Sequence, residues 1–301
     1  MPLYRGFVKR FFGTLLILTA TFAADAQSIA SLKEKAEGGD AKAQFSLGEA
    51  YDDGHDVPQN YAQAAAWYRK AADQGYALAQ YNLGGDYRKG RGVPHDDAQA
   101  TLWWRKAAEQ GDVLAQYNLG VAYSHGEGVS QDYAQALVWY RKAAEQGDAD
   151  AQYRLGASYD LGHGAPTDHS QAAIWYRKAA EQGDLGAQLT LGFLYASGNG
   201  VPHDNAQAAL WWRKAAEQGS SDAQARLGAM YSTGQGVPLD YTEALFWLDV
   251  AALGKLDNTS KDNLFIVRDG IASHLTGTVL LQTKERARNW FEAHGSKESQ
   301  Q

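Results

Sequence analysis

The chain has 301 residues, an apolar fraction of 45% and a formal net charge of −7. That apolar share excludes disorder over most of the length, and the acidic balance argues against nucleic acid as a partner, because an acidic surface repels phosphate. The absence of cysteine excludes a disulfide framework, a cysteine-ligated metal and a lipid-bearing cysteine.

The first 26 residues read as a secretory signal. Arg5, Lys9 and Arg10 precede an apolar run from Phe11 to Phe22, and Ala24-Asp25-Ala26 places small residues where a signal peptidase reads. Cleavage is expected between Ala26 and Gln27. The apolar run, about 14 residues at most, is shorter than the ~20 a spanning helix needs. An uncleaved anchor and a buried helix are the other readings of this segment. Its removal takes away three positive charges and one negative, moving the net charge from −7 to −9. No other stretch is apolar enough to span a bilayer, so the expectation is an exported, soluble protein of a bacterial periplasm. Ser28 to Glu37, within residues 27–39, then reads as a capping helix.

From Asp40 the sequence repeats. Trp67, Trp103, Trp139, Trp175, Trp211 and Trp247 are spaced 36 residues apart, and so are six Leu-Gly pairs from Leu47-Gly48 to Leu227-Gly228. The repeats are 40–75, 76–111, 112–147, 148–183, 184–219 and 220–255. A fixed period of roughly 20–50 residues is the signature of a repeat architecture, whose stacked members share one elongated core.

The repeat from Asp112 to Gly147 shows the physics. Asp112 can cap a first helix that carries Ala115, Leu119 and Tyr123 on one face. Gly120 lies inside this helix at a cost of ~1 kcal/mol relative to alanine. Its recurrence predicts a close approach by a neighbour. Gly126 ends the helix in the left-handed conformation. The loop is Gly-x-Gly-Val-Pro in its fullest form, although the first repeat has Asp56 for the second glycine and the third has Ser130 for the proline. Asp132 and Gln135 predict a reciprocal capping box on the second helix. Its buried face is Ala136, Trp139, Tyr140, Ala143 and Ala144. Arg141 and Lys142 fall on the solvent face. One hairpin cannot bury its tryptophan alone, so all six rings are expected to be covered by stacking. A central site such as Trp139 is expected to matter more than the terminal Trp247.

After Trp247 the motif decays. Residues 256–301 read as C-terminal capping helices and a frayed tail. A cap at Asn258-Thr259-Ser260 predicts a helix from Lys261 to His274 with Leu264, Ile266, Val267 and Ile271 as its apolar residues. Thr276 predicts a last helix from about Gly277 to Ala293.

Three motifs carry a resemblance to a known family. They are Ala-Gln-x-x-Leu-Gly-x-x-Tyr at Ala115 to Tyr123, Gly-x-Gly-Val-Pro-x-Asp at Gly198 to Asp204, and Ala-x-x-Trp-Tyr-Arg-Lys-Ala-Ala-Glu-Gln-Gly at Ala136 to Gly147. Over Asp40 to about Gly254 the chain resembles the Sel-one-like repeat family, a branch of the tetratricopeptide-like hairpin solenoids. The resemblance implies an all-α fold, a right-handed α/α superhelix of antiparallel helical hairpins with a concave surface that binds proteins or peptides. Members are often exported bacterial proteins, and some are adaptors. Some carry a disulfide in each repeat, which this chain does not.

No catalytic residue, metal ligand or cofactor is predicted. No two of the eight histidines make the i, i+4 pair of a helical zinc site. The glycine-rich loop follows a helix rather than a strand, so it is not a phosphate loop, and no serine lies in a nucleophile elbow. The informative positions are those that vary inside a constant frame. By analogy with tetratricopeptide stacks, the first helices line the inner curve. One position there reads Phe45, Tyr81, Tyr117, Tyr153, Leu189, Ala225, and its neighbour reads Ser46, Asn82, Asn118, Arg154, Thr190, Arg226. Tyr81, Asn82, Tyr117, Asn118, Tyr153 and Arg154 are the predicted partner-binding residues, with rings for contact area and amides for backbone hydrogen bonds. In the other reading these rings only pack between adjacent repeats. The leading functional expectation is a non-enzymatic periplasmic scaffold for a protein or peptide. The alternatives are an envelope hydrolase acting on cell-wall or β-lactam substrates and a secreted factor that binds host proteins.

Overall fold

The computed structural model describes residues 29–255 and 258–294, leaving aside the side chains of 258–263. The predicted signal segment, its cleavage point and the tail from Gly295 lie outside the described residues. All regular structure among the described residues is helical. Helix α1 spans 29–37. Six hairpins follow: α2 (Ala41–Asp53) with α3 (Tyr61–Asp73), α4 (Ala77–Lys89) with α5 (Asp97–Glu109), α6 (Val113–His125) with α7 (Tyr133–Glu145), α8 (Ala149–Leu161) with α9 (His169–Glu181), α10 (Leu185–Ser197) with α11 (Asn205–Glu217), and α12 (Ser221–Thr233) with α13 (Tyr241–Leu253). Helices α14 (Asn258–Ala272) and α15 (Gly277–His294) close the chain. Two compact bodies result, one up to Lys142 and one from Ala143. Within each, a second helix packs on the first helix of the following hairpin, as α3 does on α4 and α9 on α10.

The caps follow the sequence with one correction. Asp112 accepts the Ala115 amide at 2.8 Å, and Asp40, Asp148, Asp184 and Ser220 do the same in their repeats. On the second helices, Asp132 accepts the Gln135 amide at 3.0 Å. The reciprocal half of the predicted box is replaced. The cap residue's own amide donates to a tyrosine carbonyl of the first helix, as Asp132 does to Tyr123 at 2.9 Å. That bond closes the hairpin loop and leaves the Gln135 side chain without a capping task.

The glycine of the Leu-Gly pair is explained by a ring in five of the six hairpins. A Cβ on Gly120 would lie 2.6 Å from Tyr140 ring carbons, and one on Gly84 would lie 2.5 Å from Trp104. The residue after each repeat tryptophan, an aromatic in five hairpins and Leu248 in the sixth, thus lies against the first helix of its own hairpin. The second loop glycine answers to the preceding hairpin instead. A Cβ on Gly92 would sit 2.0 Å from the Tyr61 carbonyl oxygen. Asp56 holds this place in the first repeat at φ 60, where no hairpin precedes it among the described residues and the side chain is exposed.

The Ala-Gln dipeptide binds hairpin to hairpin. Buried Gln188 donates through Nε2 to the Ala180 carbonyl at 3.1 Å and accepts from Gln218 Nε2 at 2.8 Å. Gln44 and Gln80 make the same pair of bonds in the first body. Gln44 reaches Ala36 of α1, so α1 stands where the second helix of a preceding hairpin would stand. At the other end Gly254 replaces the glutamine, and Gln224 Oε1 is left buried without a partner. Gln188→Leu is therefore expected to destabilise by about 1–3 kcal/mol, since it removes two hydrogen bonds, although the Ala180 carbonyl and the Gln218 amide each keep a bond to Gly183. Gln224→Leu is expected to cost less, and urea unfolding of both variants checks the order.

The tryptophans need a second correction. Trp103, Trp139, Trp211 and Trp247 are buried, but Trp67 and Trp175 are only half-buried. The solvent-face cations help cover the rings. Lys142 Nζ lies 4.0 Å from the Trp139 centroid and Lys178 Nζ 3.8 Å from that of Trp175. Arginines on the same face reach the next hairpin, as Arg105 does in donating to the Tyr123 hydroxyl at 2.7 Å.

The C-terminal helices pack on α13. Helix α14 begins at Asn258, so the expected cap residues lie inside it. Of the apolar residues named on it, Leu264 and Ile271 are buried while Ile266 and Val267 are exposed. Trp290 meets Trp247 edge-on at 5.7 Å.

Candidate functional site

In the first body the first helices enclose a cleft of about 460 Å³. Tyr81, Asn82, Gly85 and Lys89 of α4 form one wall, Asn118, Val121 and His125 of α6 the other, and Trp104 closes the base. Three of the six predicted residues, Tyr81, Asn82 and Asn118, therefore share one site. Tyr117 does not line it. Tyr153 and Arg154 belong to the other body, where the Tyr153 ring packs at 5.5 Å on Tyr176 and Arg154 is exposed.

Tyr81, Tyr117 and Tyr153 are half-buried, each both packed and partly accessible. Tyr117 lies 6.1 Å from Tyr140. Burial pushes the Tyr81 phenol up, with nearby Asp112 acting the same way, against a hydrogen bond from Asn118. Burial likewise raises Tyr68, against a bond from Asn82. Both predicted amides thus donate to a tyrosine hydroxyl.

The charged part of the cleft escaped the reading by motif. Arg91 Nη2 lies 3.3 Å from Asp86 Oδ1 and 3.5 Å from Asp52 Oδ2, and its guanidinium covers the Tyr61 ring at 5.2 Å. Arg88 bridges Asp97 at 3.1 Å and Glu127 at 2.8 Å. The signal was present in the sequence. Asp86 stands where the other repeats have Ala50, Ala122, Ser158, Leu194 and Met230. A buried acid in a slot built for small or apolar side chains needs a counterion, and Arg91 supplies it from the loop.

Burial pushes the Asp86 carboxyl up to about 7, and the Arg91 charge only partly offsets it. The sign follows from linkage. The folded state holds this proton more tightly than the unfolded chain does, so stability from Asp86 is fully present below the ordinary value near 4 and is lost as pH rises to about 7. Asp86→Asn should remove that slope. Compared with wild type in urea unfolding, the variant should gain relative stability between pH 5 and pH 8. A constant difference across this range would refute the assignment.

No group of three or more His, Asp or Glu side chains is placed to hold a metal ion among the described residues. No described helix is long and apolar enough to cross a membrane. The cleft offers rings, amides and ion-paired charges beside His125 and Lys89.

Hairpins stacked in register, with their variable side chains gathered on the first helices, define an all-α solenoid scaffold. The Sel1 repeat profile matches residues 41–76, 77–112, 113–148, 149–184, 186–220 and 221–255. The chain belongs to the Sel1 repeat family. It is similar to c5321 of uropathogenic Escherichia coli, described as a protective antigen displaying an SLR fold, with 39% identity over 89% of this chain and a TM-score of 0.76. It spans only 56% of that protein's length. It also resembles a Sel1 repeat protein from Oxalobacter formigenes, with 36% identity over 79% of this chain and 97% of that one and a TM-score of 0.68. No curated protein matches the chain.

Proposed function

We propose that this chain is an exported, non-enzymatic scaffold, an adaptor or regulator, that binds a protein or peptide in the cleft between α4 and α6. The observation that carries the proposal is the convergence of Tyr81, Asn82 and Asn118 on one open cleft beside Gly85. Half-exposed rings give contact area, and amides give directional bonds to an extended backbone. Export rests on the signal pattern of residues 1–26. Its destination is the periplasm, and an N-terminus at Gln27 in the periplasmic fraction is the expected result. Recovery of the intact chain from the cytosol would refute export. A secreted factor is the second reading, favoured by the description of c5321 as a protective antigen. Accumulation in culture medium would select it.

Gly85 provides the test of the cleft. A Cβ there meets nothing within 4 Å. Gly85→Trp therefore fills the cleft while improving helix propensity by roughly 0.5 kcal/mol. The variant should keep or raise its thermal midpoint and lose the partners that the wild type captures from periplasmic extract. Retention of the same partners would show that binding lies elsewhere.

A further inference from the structure

The outer face of the second helices repeats as regularly as the buried one. The position before each repeat tryptophan holds Ala66, Leu102, Val138, Ile174, Leu210 and Phe246. In the second body, Ile174 on α9 and Leu210 on α11 are 48% and 45% exposed, whereas Phe246 on α13 is 2% exposed. Register and face are the same in all three. What differs is the cover. Helix α15 lies on α13, sets Trp290 edge-on to Phe246 at 6.5 Å and holds the Arg286 guanidinium 3.9 Å from the centre of that ring. Arg286 also pairs with Glu243.

The chain thus displays one occupant that this face accepts. It is an amphipathic helix whose arginine and aromatic residue stand four apart, on one side. Beside Ile174 a groove of about 370 Å³ runs along α9 to the loop at Gly200-Val201, with the Glu181 carboxylate on its wall. It offers an apolar contact and an acid beside Arg177 and Lys178, with Gln171 at the repeat position that Glu243 holds under α15. Single exposed aliphatics are ordinary, but a row continuous with a covered copy of itself marks a docking surface.

We propose that the face of α9 and α11 bearing Ile174 and Leu210 docks an amphipathic helix of a partner protein, held as α15 is held on α13. This surface is distinct from the cleft and does not rest on it. The probe is a fluorescent peptide with the sequence of residues 277–294, titrated into the full chain and followed by anisotropy. Saturable binding is expected. It should weaken at least about tenfold in the Ile174→Glu/Leu210→Glu variant, and again when the peptide carries Trp290→Ala. Both altered positions are exposed, so the variant should retain its helical circular dichroism. Absence of binding overturns the proposal. So does binding indifferent to Ile174 and Leu210, which would mean that the peptide displaces α15 from α13. A wild-type dimer in sedimentation that the double variant dissolves would overturn the choice of occupant and assign the face to a second copy of the chain.

Discussion

Trp247→Ala is expected to destabilise the protein by about 3–5 kcal/mol, no less than Trp139→Ala. The two rings are 6% and 8% exposed, so the terminal site is as closed as the central one. Helix α15 closes it. Trp290 meets the Trp247 ring edge-on at 5.7 Å and Phe246 adds a second ring at 4.9 Å. Removing the indole would leave a cavity walled by rigid aromatics on helices tied to one another, which cannot collapse easily. Trp67→Ala and Trp175→Ala should cost roughly half as much, because half-buried rings surrender less apolar area and leave an opening to water. Urea unfolding followed by circular dichroism gives the order. Hydrogen exchange locates each loss, since repeat stacks can unfold in parts. A loss below about 1 kcal/mol at Trp247 would show that α15 does not support that site.

Gly92→Ala is the second large effect expected. The glycine has φ 68, and an added Cβ would come 2.0 Å from the Tyr61 carbonyl oxygen. Left-handed backbone costs alanine about 1–2 kcal/mol, and forcing apart packed elements costs about 1–3 more. The obstacle is backbone, so no rotamer change relieves it. Gly75 is the control. Its φ is 90, but nothing lies within 4 Å of its Cβ position, so Gly75→Ala should show the conformational part alone. Asp56→Ala, at the same repeat position as Gly92 but exposed and with no preceding hairpin among the described residues, should change stability little. Equal losses at Gly92 and Gly75 would mean that the approach of neighbouring hairpins is not what requires glycine.

The cleft was half legible in the sequence. Tyr81, Asn82 and Asn118 stood out because they vary inside a constant frame. Nothing local separates them from Tyr117 and Tyr153, whose rings occupy the same repeat position outside the cleft. Asp86 and Arg91 were readable only by asking which position of the repeat is usually small or apolar, because their pairing joins a helix to a loop. The glutamine rungs escaped for a similar reason. Gln188 looks like a surface amide until its two partners, 8 and 30 residues away, are known.

The sequence alone determined the fold, the register and the position of nearly every helix end. Each of these follows from local chemistry stated six times over: a capping side chain, a left-handed glycine, an apolar face with helical spacing. Tertiary structure decided which tryptophans are covered, where a cleft opens and which outer face is already occupied. Those depend on what lies against a residue from the next hairpin or from α15. Six copies of one pattern are equivalent in sequence until their neighbours make them different.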